Sequence, residues 1–315
     1  MRHATMRQLR VFAAAAGQLS FARAAQELHL TPPAVSLQIA ELERHAGTRL
    51  FDRLGKRLYL TKAGEAMLRA SRDIIEKVRL LEDELSAMSG MDGGVLNIGV
   101  ISAGDYFIAT LLADFCKQHE GVRVALSVCN REELLRLLNG NGVDLAIMSL
   151  PPRTAGLAAT PFAAHPLVLV ASTTHPLAAT GRLPLGALAQ ERFIAREQGS
   201  QTRQVMNDTL RRAKIKPVVA FETPSNETIK QAVAAGFGIA FISAHAIGYE
   251  VTAGRLAVLD VEGFPIRAQW LCVHRRGKAL PAAARAFTQH LQRRGASTIR
   301  KLVPAGLRDY WADEE

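Results

Sequence analysis

What this 315-residue chain lacks narrows its class before any motif is read. It has three cysteines, Cys116, Cys129 and Cys272, scattered and odd in number. None forms a C-x-x-C pair, so neither a disulfide framework nor a zinc site is expected. There is no run of about 18 apolar residues, so no membrane-spanning helix is expected. The apolar stretch from Val11 to Ala16 is short for the core of a signal peptide, and polar Gln18 and Ser20 follow soon after. A cytoplasmic protein is expected. A Walker loop, H-E-x-x-H, G-x-S-x-G and the protein-kinase motifs are missing as well, so no enzyme and no metal centre are expected. Gly236-Phe237-Gly238 follows a helical pattern instead of opening one, which argues against a dinucleotide fingerprint.

Acidic residues are the minority charge, 29 against 39 Lys and Arg, for a net +10. Residues 1–72 hold 12 of the bases and 5 of the acids, so the first quarter carries +7 and the remainder +3. A concentrated basic segment points to a polyanionic partner.

Three regions separate by pattern. Residues 1–60 are dense in short helical signals, residues 61–89 form one long helical pattern, and an alternation of strands and helices follows from Val95. In the first region Thr5 and Gln8 fit a capping box, and Leu9, Phe12, Ala13 and Ala16 make an apolar stripe. Ser20 can cap a second helix and Thr31 a third. Pro32 and Pro33 stand at the first two positions of that third helix, where the missing N–H groups have no helical partner to lose. Val35, Ile39 and Leu42 are spaced for burial, leaving Pro32, Pro33, Ser36 and Leu37 outward, with Gln38 beside them. Two short helices joined tightly, the second with small residues at its tip, describe a helix-turn-helix that can approach base edges. Residues 50–60 then read as strand, glycine-containing turn, strand, with Arg53, Lys56 and Arg57 near the tip. That is the form of a basic wing on phosphates or in a minor groove.

The long helix opens at Thr61. Met67, Ser71, Ile74, Val78, Leu81, Leu85 and Met88 alternate spacings of four and three, a 3.5-residue period. A coiled-coil seam needs a partner, and a second copy is the simplest one, so Met67, Ile74, Val78, Leu81, Leu85 and Met88 are expected at a homodimer interface.

Several strings occur in order at compatible spacings. They are Ser20-Phe21-x-x-Ala24-Ala25-x-x-Leu28, Pro33-Ala34-Val35-Ser36-x-Gln38-Ile39-x-x-Leu42-Glu43, Gly47-x-x-Leu50-Phe51-x-Arg53 and Leu60-Thr61-x-Ala63-Gly64. On these residues the chain resembles the LysR-type transcriptional regulators. The resemblance implies a winged helix-turn-helix (1–60), a dimerising linker helix (61–89) and a two-lobed, periplasmic-binding-protein-like α/β effector domain (95–300). Its first lobe would take 95–166 and 268–300, its second 167–267, leaving 301–315 as a tail. It also implies double-stranded promoter DNA as partner, a dimer or tetramer, RNA polymerase as a candidate contact and a small-molecule effector with no cofactor. Pro32 stands where many such proteins carry a base-reading Gln, so direct readout is expected to fall on Ser36, Leu37 and DNA shape.

In the effector region Ser102, Asn130 and Ser149 follow apolar strands at positions that feed helix starts, where free N–H groups attract anions. Ser102 is read as a helix cap. Leu167 to Ala171 is read as a strand crossing into the second lobe, where Ser200, Thr202 and Arg203 lie at one helix start and Asn226 at another. These seven are the candidate cleft. The strings at 130–135, 225–233 and 260–266 are similar to the branch of the family that controls carbon-fixation (RuBisCO) operons, which implies an organic acid, phosphorylated sugar or nucleotide as effector. The alternatives are a family member serving another operon and, more distantly, a solute-binding protein, which would share residues 95–296 but needs no basic helices before them.

Overall fold

Helix α1 (Met6–Gln18) opens on the expected capping box: Gln8 N–H donates to Thr5 Oγ1 at 3.2 Å and Thr5 N–H to Gln8 Oε1 at 3.0 Å. Helix α2 (Phe21–Glu27) is capped by Ser20, and α3 (Pro32–Ala46) by Thr31 with both prolines in its first turn. Phe12, Ala24, Val35, Ile39, Leu42, Leu50 and Phe51 form their shared core. A hairpin follows, β1 (Phe51–Leu54) on β2 (Arg57–Leu60), antiparallel with Phe51 opposite Leu60. Helix α4 (Lys62–Met88) completes this unit. The computed structural model describes residues 4–55, 57–88, 93–150 and 156–303, and its chain divides into two compact units, Met1–Ser89 and Gly90–Glu315.

The second unit begins with β3 (Gly93–Ile101), a single 3-10 turn (Ser102–Gly104) and α5 (Asp105–Cys116). Next come β4 (Gly121–Cys129), α6 (Arg131–Asn139), β5 (Leu145–Met148) and the long β6 (Leu157–Ser172). Then follow β7 (Arg192–Arg196), α7 (Gln201–Arg212), β8 (Val218–Thr223), α8 (Asn226–Ala234), β9 (Ala240–Ser243), α9 (Gly248–Thr252) and β10 (Leu256–Val258). Strand β11 (Ile266–Arg275), α10 (Ala282–His290), a π-helical turn (Leu291–Gly295) and α11 (Ala296–Leu302) complete it.

Strands β10-β6-β11-β5-β3-β4 run side by side, with β9 also paired to β6, and β7 pairs β8. The sheet spans two regions because β6 and β11 are long enough to cross between them, paired antiparallel from Ile266–Leu167 to Arg275–Leu157. At one end β3, β4 and β5 are parallel and pack on α5 and α10 through Leu96, Ile98, Phe107, Ile147 and Phe287. At the other end β6 serves two cores. Val168 and Val170 meet Ile194, Ile229 and Ile242 on one face, and Leu169 and Ala171 meet Phe193, Met206 and Phe241 on the other.

Three expectations change. The crossing strand is 16 residues, not the five from Leu167 to Ala171. Pro161 and Pro166, which lack the ladder donor, made its first half unreadable as strand. Ser102 is not a helix cap: it opens the 3-10 turn without a side-chain cap bond, and its hydroxyl bonds elsewhere. The chain also stays folded past 300, because α11 ends at Leu302 and Val303 is buried against the Val168–Ile242 core. The remainder of the expected tail, 304–315, lies outside the described residues.

Gly64, in the first turn of α4, rests on the wing. A Cβ there would press on the Leu50 carbonyl oxygen, which itself accepts from Thr61 N–H at 3.1 Å. Backbone cannot rotate aside as a side chain can, so Gly64→Ala should destabilise the unit by about 1–3 kcal/mol in urea unfolding.

Candidate DNA-reading face and effector cleft

On α3, Thr31 Oγ1 accepts from Ala34 N–H at 3.4 Å, which fixes the start of the helix. Val35, Ile39 and Leu42 are buried, while Pro32, Pro33 and Leu37 are exposed, Leu37 by 60%. Ser36 and Gln38 are half-buried on the flanks of that face. Gln8 donates to Glu41 at 2.9 Å, tying α1 to α3. Glu43 Oε1 accepts from Leu50 N–H at 2.7 Å and Phe51 N–H at 3.1 Å, which aims the hairpin relative to α3. Gly55 turns the hairpin at φ +62°. Arg53 and Arg57 are exposed on its two strands, and Lys56 lies outside the described residues. The Arg53 guanidinium lies over the Phe21 ring at 5.5 Å, and Phe21 meets Phe51 edge-on at 5.3 Å, so the wing charge is braced against the residue after Ser20. Leu54, 70% exposed at the tip, was missed, because an isolated leucine there gives no pattern.

Helix α4 divides its seam. Met67 packs on the three-helix core together with Ala63, Leu68 and Ile75, and Ser71 is buried. From Ile74 onward the stripe opens: Ile74, Leu81 and Leu85 are exposed and Val78 half-buried. The Met88 side chain lies outside the described residues.

In the second unit, parallel pairing of β5, β3 and β4 sets Ser149, Ser102 and Asn130 in a row just beyond the carboxyl ends of three adjacent strands. Strands β7 and β8 are also parallel, with Arg196 opposite Thr223, so their carboxyl edge carries Arg196, the turn into α7 and the start of α8. The two edges meet. Arg196 Nη2 donates to Ser102 Oγ at 3.1 Å, Asn226 Nδ2 to the Ser102 carbonyl at 3.5 Å, and Arg196 Nη1 to Asn226 Oδ1 at 2.9 Å. A Cβ on Gly199 would crowd Glu132 and lie 3.8 Å from Asn130 Nδ2, so the α7 approach turn rests on the start of α6.

All seven expected cleft residues fall on these two edges. Asn130 caps α6, its Oδ1 accepting from Glu133 N–H at 3.0 Å. Ser200, at the N-cap position of α7, makes no side-chain cap bond, and Thr202 is buried beside it. Arg203 is mostly buried and donates to the Arg196 carbonyl at 3.2 Å. Ser149 Oγ and both polar atoms of the Gln201 amide are buried with no hydrogen-bond partner among the described residues. Such groups are costly unless something pairs with them.

Arg196 and Gln201 were not among the expected residues. The available signal was a lone arginine closing the apolar strand Phe193-Ile194-Ala195. A clamp was missed too. Tyr106, on α5, donates its hydroxyl to Glu227 Oε1 at 2.9 Å, and buried Lys230 binds Glu227 at 2.7 Å and Glu250 at 2.9 Å. Burial first and Glu227 second push the Tyr106 pKa upward, so the phenol stays a donor.

Where β6 and β11 cross between the regions, Trp270 stacks on His165 at 4.0 Å and donates its indole N–H to His245 Nε2 at 2.9 Å. An indole only donates, so that nitrogen must be bare and His245 neutral. Burial agrees, taking His245 down to about 4 and His165 well below its ordinary value, the latter helped by His245 itself.

A winged three-helix unit with basic strands, and an α/β unit whose two carboxyl strand edges meet through buried polar side chains, are the parts of a ligand-responsive DNA-binding regulator. Two family profiles match: the bacterial regulatory helix-turn-helix protein, lysR family, over residues 6–65, and the LysR substrate binding domain over residues 89–296. The chain is 44% identical to a RuBisCO operon transcriptional regulator of Allochromatium vinosum over 91% of its own length and 95% of the relative's. The regulatory domain of Synechocystis PCC6803 CcmR in complex with 2-PG (2-phosphoglycolate) superposes at a TM-score of 0.62 with 37% identity, covering 64% of this chain and 96% of that one. Full-length CbnR, at 23% identity, shares the fold over 92% of this chain and 98% of its own with a TM-score of 0.62. The chain belongs to the LysR family of bacterial transcriptional regulators. Among the described residues no helix is long and apolar enough to cross a membrane, and no cluster of His, Cys, Asp and Glu could hold a metal ion.

The histidines give this unit a pH dependence. Unfolded, an imidazole binds a proton near pH 6.5. Folded, His245 does so only at about 4. Stability is therefore complete above pH 6.5 and is lost as pH falls toward 4, at about 1.4 kcal/mol per pH unit for each such histidine. Urea unfolding followed by Trp270 fluorescence in a Trp311→Phe background should show a lower midpoint at pH 5 than at pH 7.5.

Proposed function

We propose that this protein controls promoters of carbon-fixation genes, as a cytoplasmic homodimer or tetramer, in response to a small phosphorylated or carboxylated metabolite. The boundaries proposed are residues 1–60 for reading DNA, 61–89 for dimerisation and 95–303 for the effector, with lobes exchanging at about 166 and 268. The observation that carries the effector reading is the meeting of two strand edges at Arg196. A buried guanidinium, bonded across the gap, lies on edges that also carry buried polar atoms without partners at Ser149 and Gln201. The CcmR domain's complex with 2-PG supports a phosphorylated acid as ligand class. Ser102, Asn130, Ser149, Ser200, Thr202, Arg203 and Asn226, joined by Arg196 and Gln201, are the proposed contacts.

On DNA, α3 offers Pro32, Pro33, Ser36, Leu37 and Gln38 to base edges, Ser20 and Thr31 lie at helix starts where phosphates bind, and Arg53, Lys56 and Arg57 lie along the backbone or minor groove. Pro32 removes an amide from the reading face, so shape contributes more to recognition. The open part of the α4 seam, from Ile74 to Leu85, pairs two copies, with Met88 as the next position of the same period. Ligand then shifts the relative orientation of the lobes, and with it how the oligomer spaces its helices along the promoter.

Footprinting on an upstream carbon-fixation promoter, with and without 2-phosphoglycolate, tests the whole reading. A footprint and DNA bend that ligand leaves unchanged would count against it. Arg53→Ala should weaken specific and nonspecific binding alike and lower the salt slope by about 1, whereas Ser36→Ala should weaken specific binding more. Leu81→Glu with Leu85→Glu should break the dimer in sedimentation analysis. A dimer surviving intact would place the interface elsewhere.

A further inference from the structure

Arg196 is 4% exposed, and its charge is already answered. Nε donates to Glu197 Oε2 at 2.8 Å and Nη2 to Glu197 Oε1 at 3.0 Å, a two-pronged pair between neighbours in sequence. Among the described residues the Glu197 carboxylate bonds to nothing else. It is the more open partner, at 17% side-chain exposure, and can leave by rotating its own torsions. The second arginine of the cleft is compensated as well: Arg203 Nη1 lies 3.3 Å from Glu222. Each of these two guanidiniums already faces a carboxylate, so an anion that binds either one must share it or displace its partner.

We propose that Glu197 is a resident anion on the effector site, and that an effector binds by displacing it from the Nε–Nη2 edge of Arg196. This rests on the cleft assignment above. A guanidinium edge accepts a carboxylate and a phosphate in the same two-pronged geometry, so the two compete for one position. The tethered carboxylate competes at high effective concentration, which raises the ligand level needed. A lone carboxylate only exchanges like for like, whereas a phosphate dianion brings a second charge and a third oxygen. The pair therefore acts as a filter that admits phosphorylated acids and excludes simple carboxylates. Once displaced, Glu197 turns toward solvent, and Ser102 and Asn226 keep the guanidinium in place.

Calorimetric titration of the full chain with 2-phosphoglycolate and with glycolate, the same acid without its phosphate, tests this. Glu197→Gln keeps the shape and removes the charge. It should bind 2-phosphoglycolate on the order of tenfold more tightly and gain measurable glycolate binding that the parent lacks. Glu197→Asp keeps the charge but shortens the reach, and should shift both in the same direction by less. Arg196→Gln should lose 2-phosphoglycolate binding, with melting curves reporting that the variants are folded. If Arg196→Gln weakens binding while Glu197→Gln binds no more tightly, the carboxylate is no competitor and the inference falls while the cleft stands. If a folded Arg196→Gln binds as the parent does, the cleft assignment itself fails.

Discussion

A guanidinium buried between two sheet edges cannot be left alone, because moving a bare charge out of water costs far more than any single hydrogen bond returns. Arg196 meets this constraint with the neighbouring Glu197 carboxylate, and with a serine and an asparagine that stand on opposite sides of the gap. Much of the second unit follows from it. Strands β3 and β7 must end where they do, Gly199 must turn tightly against α6, and Asn226 must open α8 facing the gap. The Tyr106–Glu227–Lys230 clamp repeats the same solution from α5 to α8 with a different set of charges.

The first unit obeys a different rule. Its helices owe their starts to caps: Thr5, Ser20, Thr31 and Thr61 each accept from a backbone N–H of the following turn. Glu43 then carries this logic from α3 into the hairpin by accepting two amides at the start of β1. The hairpin is thus tied to α3 by two amides on one carboxylate.

Caps and periodicity are local, which is why the helices, the wing and the row of Ser102, Asn130 and Ser149 could be read from sequence. What could not be read was nonlocal. Arg196 looks like an ordinary strand end until it is seen 94 residues away from Ser102 and bonded to it. Gln201 carries no motif at all; only its burial without partners marks it. The seam of α4 was legible as a period but not in its division. That Met67 serves the helical bundle while Leu81 stays open depends on where α1 ends, and α4 does not encode that.

The prolines that hid β6 also shape what the ribbon can do. Pro161 and Pro166 bring no ladder donors, and the register with β11 slips between Trp270 and Leu271, within the same few residues. The two strands that join the halves of the effector unit are thus thinned in cross-links where they pass from one half to the other. At that notch a side-chain link spans the two strands instead: Trp270 of β11 stacks on His165 of β6 and donates to His245.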